Sequence, residues 1–528
     1  MKRRELFKWA LGASLLNSLP GRTLAQGMGH HAAMPAPTPM PHGVAALMPV
    51  ERMPAGQAVR ALHRLVNQAT QPGHFQARLT AARHQLTLAD NKQTDVWLYN
   101  GQMPGPLIEL NEGDQVDIEF VNQLDQPTTI HWHGLPVPPD QDGNPQDAVP
   151  AGESRHYRFT LPSGCAGTYW YHPHPHGKSG EQVAHGLGGA LIVRAPDDPL
   201  RHAAEQHWVI SDLRLDTQGR IPANSALDWM NGREGQFVLV NGQRQPRIQV
   251  GTGDRIRIWN ICAARYLRLH VPGARLIQVG TDGGLLNAAL AAVDELMLAP
   301  AERAEFFLES AASGSSTLVA RYYDRQKMMM HEQPQDLTLA QLDIQAQSFS
   351  MPPLLRAMTA APDGPVDARV VFSEVMTMAH GDTQGQGMDH SMPMADHGNM
   401  GQAMETMPDM AALQRMFRVN DKVYDMDRID LRCPTGQWQR WEVVNDSHMD
   451  HPFHLHGTQF QVLSRQSGAS TTPEPFLAWR DTVNLRPNET IKLAFRQDLP
   501  GLRMFHCHIL EHEDLGMMAQ LMVEPAQR

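Results

Sequence analysis

Cysteine is nearly absent from this chain, with four in 528 residues. A disulfide-stapled scaffold is excluded at that density. Aromatic residues make up only 6%. No apolar run is long enough to cross a bilayer, which takes about 20 residues. Basic charge is in deficit as well. The formal charge of −11 removes the electrostatic ground for binding nucleic acid. Helical periodicity is scarce. Against these shortages stand 42 Gly, 39 Pro, 30 Met and 27 His. Glycine and proline at that level suit a loop-rich β protein, and methionine and histidine both ligate metals. The length predicts three or four domains.

The first 26 residues, "MKRRELFKWALGASLLNSLPGRTLAQ", have a basic start, an apolar run from Trp9 to Leu19 and a small residue, Ala25, at a cleavage position. Arg3 and Arg4 resemble a twin-arginine signal. Export to the periplasm is therefore expected. Residues 27–69, which begin rich in Pro, Met, Ala and His, read as a flexible lead-in.

The body repeats itself. "NGQMPGPLIELNEGDQVDIEFVN" (100–122), "NGQRQPRIQVGTGDRIRIWN" (241–260) and the weaker "NDKVYDMDRIDLRCPTGQWQRWEVVN" (420–445) share one pattern. Each is a turn, a strand, a Gly-containing turn and an alternating strand ending in Asn. A second repeat follows each: "PAGESRHYRF" from Pro150, "APAERAEFFL" from Ala299 and "RPNETIKLAF" from Arg486. Three similar β-sandwich domains are expected, at 70–200, 201–355 and 365–528.

Four histidine-rich clusters stand out: "HWHG" (131–134), "YHPHPHG" (171–177), "HPFHLHG" (451–457) and "HCHILEH" (506–512). Two lie in the first domain, two in the third and none in the middle one. Core packing explains a lone histidine but not four such clusters. Ligands this far apart imply that the outer domains face each other around a shared metal cluster. In a strand successive side chains point to opposite faces. His506 and His508 therefore point one way and Cys507 the other, so one strand can serve two metal sites. Cys507, His512 and Met517 have the spacing C-x4-H-x4-M. A thiolate, imidazoles and a weak axial Met make a blue-copper site. His451 can supply the second imidazole.

These clusters, in this order within a threefold repeat, resemble the multicopper oxidases over nearly the whole mature chain. The resemblance implies an all-β fold of three cupredoxin-like domains and four copper ions. By position, His451, Cys507 and His512 would hold the type 1 copper, with Met517 axial. His131 and His454 would hold the type 2 copper. His133, His172, His174, His456, His506 and His508 would hold the type 3 pair. Met517 rather than Met518 has the family spacing, and His176 is placed outside the ligand set. Asp142 and Glu513 resemble the family's acidic proton-relay positions. Dioxygen would be reduced to water by four electrons that enter one at a time and pass from Cys507 to His506 and His508.

Residues 376–410 hold nine Met and three His. Thioethers favour Cu(I), and this insert resembles the methionine-rich segment of cuprous oxidases involved in copper tolerance. Cu(I) is the expected reductant, with small phenols as a laccase-like alternative and a non-catalytic copper-binding protein as another. A monomer is expected. In cuprous oxidases an acid and a Met precede the "HPFHLHG" motif. Here Met449 is present, but Ser447 stands in the acid's place, with Asp446 or Asp450 as substitutes. Met376, Met378 and Asp382 are further candidates for the substrate-copper site. Cys165 is expected to pack as a small apolar residue. Cys262 and Cys433 can pair only if the fold brings them together.

Overall fold

The computed structural model describes residues 46–330, 332–375 and 410–526. The signal segment, the start of the lead-in and residues 376–409 of the Met-rich insert lie outside them, as do Met376, Met378 and Asp382. Six sheets pair into three cupredoxin-like sandwiches.

The sequence repeats explain the sandwiches. In the first, Gly105–Asn111 and Gln115–Asn122 form consecutive strands in opposite sheets. Arg247–Gly251 and Arg255–Asn260 do so in the second, and Leu431–Pro434 and Trp438–Asp446 in the third. The chain thus crosses the sandwich at the glycine-containing turn. The later repeat becomes Ser154–Thr160, Arg303–Glu309 and Glu489–Arg496, each antiparallel to the second strand of its pair. Alternation buries one face of each strand, and the three cores are contiguous apolar clusters.

The recurrent asparagine has a structural task. Asn122, Asn260 and Asn445 are fully buried. Asn122 Nδ2 donates to the carbonyls of Gln126, Val149 and Pro150. Asn260 Nδ2 reaches those of Arg265 and Leu298. Asn445 Nδ2 reaches those of Met449, Leu485 and Arg486. Each amide satisfies loop carbonyls that would otherwise be buried unpaired.

Residues 46–69 are strapped down rather than a free linker. Met48 N donates to Leu215 O, Val59 N to Arg247 O and Leu65 N to Leu107 O, because exposed strand edges offer unpaired partners. All four cysteines are buried and unbonded, with Cys262 in the second core and Cys433 in the third. Among the described residues no helix is long and apolar enough to cross a membrane.

Candidate metal centre

The strand Gly501–Cys507 feeds two sites, one on each face. Phe505 and Cys507 point into the third core, where Met517 also lies. His506 points across the seam to the first domain, its Nε2 3.1 Å from His174 Nε2.

On the core side, His451 opens the strand His451–Leu455 and His512 sits on the short helix Leu510–Asp514. Cys507 Sγ lies 3.4 Å from His451 Nδ1 and 3.9 Å from His512 Nδ1, and the two nitrogens are 3.3 Å apart. Donors so spaced can share one ion at metal–ligand distances of about 2 Å. Cys507 N donates to Met517 O at 3.1 Å and Met517 N to His512 O at 2.9 Å, which closes the ligand loop. Burial pushes the Cys507 thiol well up and the His512 imidazole well down. A thiolate here needs a cation beside it, and His512 keeps a free lone pair. Ile509 N–H, 3.4 Å from Sγ, supplies a hydrogen bond to the sulfur.

Across the seam, eight histidines form a fully buried nest. His131 Nε2 and His454 Nε2 are 3.3 Å apart. His174, His456 and His506 converge, with His506 Nε2 3.1 Å from His174 Nε2 and from His456 Nε2. His133, His172 and His508 form another triad, with ring centroids 4.9–5.6 Å apart. Among the described residues, Nε2 of all three is buried without a hydrogen-bond partner. Each such orphan costs about 1–3 kcal/mol, and a bound cation removes that cost. Burial first, then neighbouring imidazoles, hold His133, His172, His174, His454, His456 and His508 well below the usual histidine range. His506 is held at about 3, chiefly by burial. Neutral imidazoles with free lone pairs, beside a buried thiolate site, fit copper.

Carboxylates orient the rings. His131 Nδ1 donates to Asp142 O at 2.9 Å, and Asp142 Oδ2 lies 3.5 Å from His456 Nδ1 and 3.1 Å from Arg503 Nη1. Glu513 Oε2 lies 3.3 Å from His506 Nδ1, and its Oε1 3.6 Å from His174 Nε2. Burial pushes the Glu513 carboxyl well up, so it can hold a proton beside the nest. Both acids predicted from the sequence thus lie against the histidines.

Sequence reasoning missed a third acid. Asp481 Oδ1 lies 3.3 Å from His133 Nδ1, and the Asp481 carbonyl accepts from His454 Nδ1 at 2.7 Å. Its partner is Arg303 of the middle domain, fully buried, at 2.5 and 2.7 Å. The middle domain therefore supports the nest although it carries no histidine cluster. Gly134, at φ 87°, leaves the room this pair needs, since a Cβ there would collide with Asp481 and crowd Arg303. The only sequence signal was that Arg303 falls within a repeated strand.

The outer edge of His451 differs from expectation. Its Nε2 meets Ser447 Oγ at 3.0 Å and Glu374 Oε1 at 3.1 Å. Glu374 ends the strand Ala368–Glu374, and its other oxygen pairs with His448 Nδ1 at 2.7 Å. Burial would raise the Glu374 carboxyl, but the bonds from His448 and His451 outweigh it and hold it at about 2. Asp446 is exposed, and Asp450 Oδ1 is bound by Asn484 and Tyr323. Met449 is packed in the third core. Among the described residues, the carboxylate against His451 Nε2 thus comes from another strand.

Two donor clusters joined by one Cys-His strand define a copper oxidoreductase of the cupredoxin class. Comparison with known proteins agrees. Two multicopper oxidase family models match residues 80–198 and 392–527. A solved multicopper oxidase from Campylobacter jejuni, titled a metallo-oxidase, is 44% identical, covers 92% of this chain and 98% of its own, and superposes with a TM-score of 0.83. A multicopper oxidase of Staphylococcus aureus is 28% identical over 80% of this chain and 83% of its own. A copper resistance protein A homolog of Pseudomonas syringae pv. tomato is 25% identical over 84% and 92%. The chain belongs to the multicopper oxidases.

Proposed function

We propose that this oxidase takes its electrons from Cu(I), in the periplasm, as part of copper tolerance. His451, Cys507 and His512, with Met517, would hold the type 1 ion, and His131 and His454 the type 2 ion. His133, His172 and His508 would hold one ion of the type 3 pair, and His174, His456 and His506 the other. When bound, these ions accept electrons singly and reduce dioxygen to water, consuming four Cu(I) and four protons.

The chain's own residues divide the work. Glu374 and His448 present an oxygen and an imidazole to arriving Cu(I). Glu374 is hydrogen-bonded directly to His451, and the Cys507 backbone joins His506 and His508. Asp142 and Glu513 pass protons to the nest.

The observation that carries the Cu(I) reading is Glu374, two residues before Met376 and 3.1 Å from His451 Nε2. The His448 side chain beside it is 44% exposed, so the bracket reaches solvent. His512 offers no comparable edge to a bulky phenol. Its Nε2 faces the Met230 carbonyl at 3.2 Å and its ring stacks on Phe417 at 3.9 Å. The Campylobacter relative's title also names a metallo-oxidase. A non-catalytic copper protein would not need the complete donor set.

Deleting Met376–Met410 and making Glu374→Gln test this reading. Both should lower Cu(I) turnover, Glu374→Gln by about 10–100-fold if a charge-assisted contact of about 1.5–3 kcal/mol is lost. Phenol oxidation should rise on deletion, with copper content unchanged. A parallel loss of both activities would make the segment structural, and unchanged Cu(I) kinetics in both variants would end the cuprous reading.

Asp142→Asn keeps the size and removes the ionisable proton. Reduction of the type 1 centre should stay normal while oxygen reduction slows by about 10–100-fold, as for other residues behind metal ligands. Arg503 loses its counter-charge, so copper content and Tm are measured alongside. Turnover equal to wild type at every pH would leave Asp142 a loop-forming residue.

A further inference from the structure

The seam between the first and third sandwiches holds a second set of soft donors that the histidine nest does not use. On the antiparallel strands Gly501–Cys507 and Met518–Glu524, Met518 stands directly opposite His506, and Gln520 opposite Met504. Cross-strand partners share a face, with Cβ atoms about 5 Å apart. Alternation puts Met504 on that same face. Met504 and Met518 pack with Tyr424 in a buried cluster of their own, whereas Phe505, Cys507 and Met517 belong to the core behind. The adjacent Met517 and Met518 therefore serve opposite sides of the sheet.

His176, two residues beyond His174, comes to the same place. Its ring lies 5.0 Å from the Tyr424 ring. Its Nδ1 is buried without a hydrogen-bond partner among the described residues. Gln146 Nε2 closes the outer end, 3.2 Å from Tyr424 Oη and 2.8 Å from Gln520 Oε1.

We propose that His176, Met518 and Met504 form a Cu(I) transfer site that loads the histidine nest. The inference rests on the copper reading of the nest and adds a route into it. All eight histidines there are fully buried, so an arriving ion needs intermediate ligands. Thioethers with an imidazole select Cu(I) over harder cations. The half-buried His176 is the outer donor and the two methionines are the inner ones, and both sides touch the Tyr424 ring. From Met518 the ion passes to His506, its cross-strand partner, by ligand exchange. No electron moves in that step. Methionine against an aromatic ring is also an ordinary core contact, but packing leaves the buried His176 Nδ1 without a partner.

The test uses copper-free full-length protein and Cu(I) presented as its bicinchoninate complex without oxygen. After oxidation at set times, blue absorption reports type 1 filling, the type 2 magnetic-resonance signal reports nest filling, and total copper is measured. Met504→Leu/Met518→Leu keeps the volume and the apolar character, a swap that cores tolerate well. The nest should fill about tenfold more slowly, equivalent to a barrier about 1.4 kcal/mol higher. Type 1 filling and the final copper content should match wild type. His176→Gln, at the rim, should slow the same step with unchanged Tm. Nest filling at the wild-type rate in both variants would overturn the proposal. So would equal slowing of both centres with a fall in Tm, which marks a packing role. A wild-type chain that never fills the nest would instead remove the copper reading beneath it.

Discussion

Cys507→Ser should abolish the blue charge-transfer absorption and oxidase turnover together. The thiolate is the soft donor of the type 1 set, and a serine hydroxyl is hard and stays protonated in so buried a place. His451 and His512 remain 3.3 Å apart, but lose the sulfur that completes their triad. The nest is spared, because His506 and His508 stand on the other face of the strand and His506 keeps its ring contacts. The expected protein is therefore colourless, still binds copper at the nest, and cannot pass electrons to it. The fold should survive. Burying the hydroxyl costs about 1–3 kcal/mol, and the Ile509 N–H that faces the sulfur at 3.4 Å is available to it. Visible and magnetic-resonance spectra, with copper per chain, check each part. An intense blue band in the variant would sink the type 1 assignment, and simultaneous loss of nest copper would deny that the two faces are separate.

Much of this was legible because the copper donors come in local motifs. The alternation of His506, Cys507 and His508 is dictated by strand geometry, and it assigns the two faces from the sequence alone. The threefold repeat also carried the architecture, since each copy contains a strand, a glycine turn and a terminal asparagine. Residues that act across domains left no such mark. Asp481 sits in "WRDTVNL" with no histidine beside it in sequence, and its closeness to His133 is created by folding alone. Glu374 illustrates the same limit. An acid was sought near Ser447 because local alignment looks along one strand, whereas the sheet brings in the end of another. The adjacent methionines 517 and 518 were separable only by spacing, and the two faces of the sheet now give each a place.

Asp481→Ala should cost more stability than any other single change at the nest, about 3–5 kcal/mol, because it leaves a buried guanidinium without its main counter-charge. Arg303 is fully buried and contacts Asp481 through two bonds. Its remaining partners are the Thr168 and Ala301 carbonyls, His133 Nδ1 at 3.4 Å, and Asp282, whose carboxylate is 3.6 Å away. The effect on copper should be selective. His454 donates to the Asp481 backbone carbonyl, which alanine retains. His133 faces the carboxylate, which alanine lacks. The triad of His133, His172 and His508 should therefore weaken while the His131–His454 pair holds. Copper affinity there should fall about 10–100-fold, the usual result of removing a carboxylate behind a ligating histidine. Arg303→Leu/Asp481→Leu separates the two effects, since removing both charges relieves the unpaired one. Denaturant unfolding of the copper-free forms should show stability largely recovered in the double variant. Copper titration should show the His133 triad still impaired. A single variant as stable as wild type would mean the ion pair is not closed, and copper affinity restored in the double variant would mean that Asp481 does not orient His133.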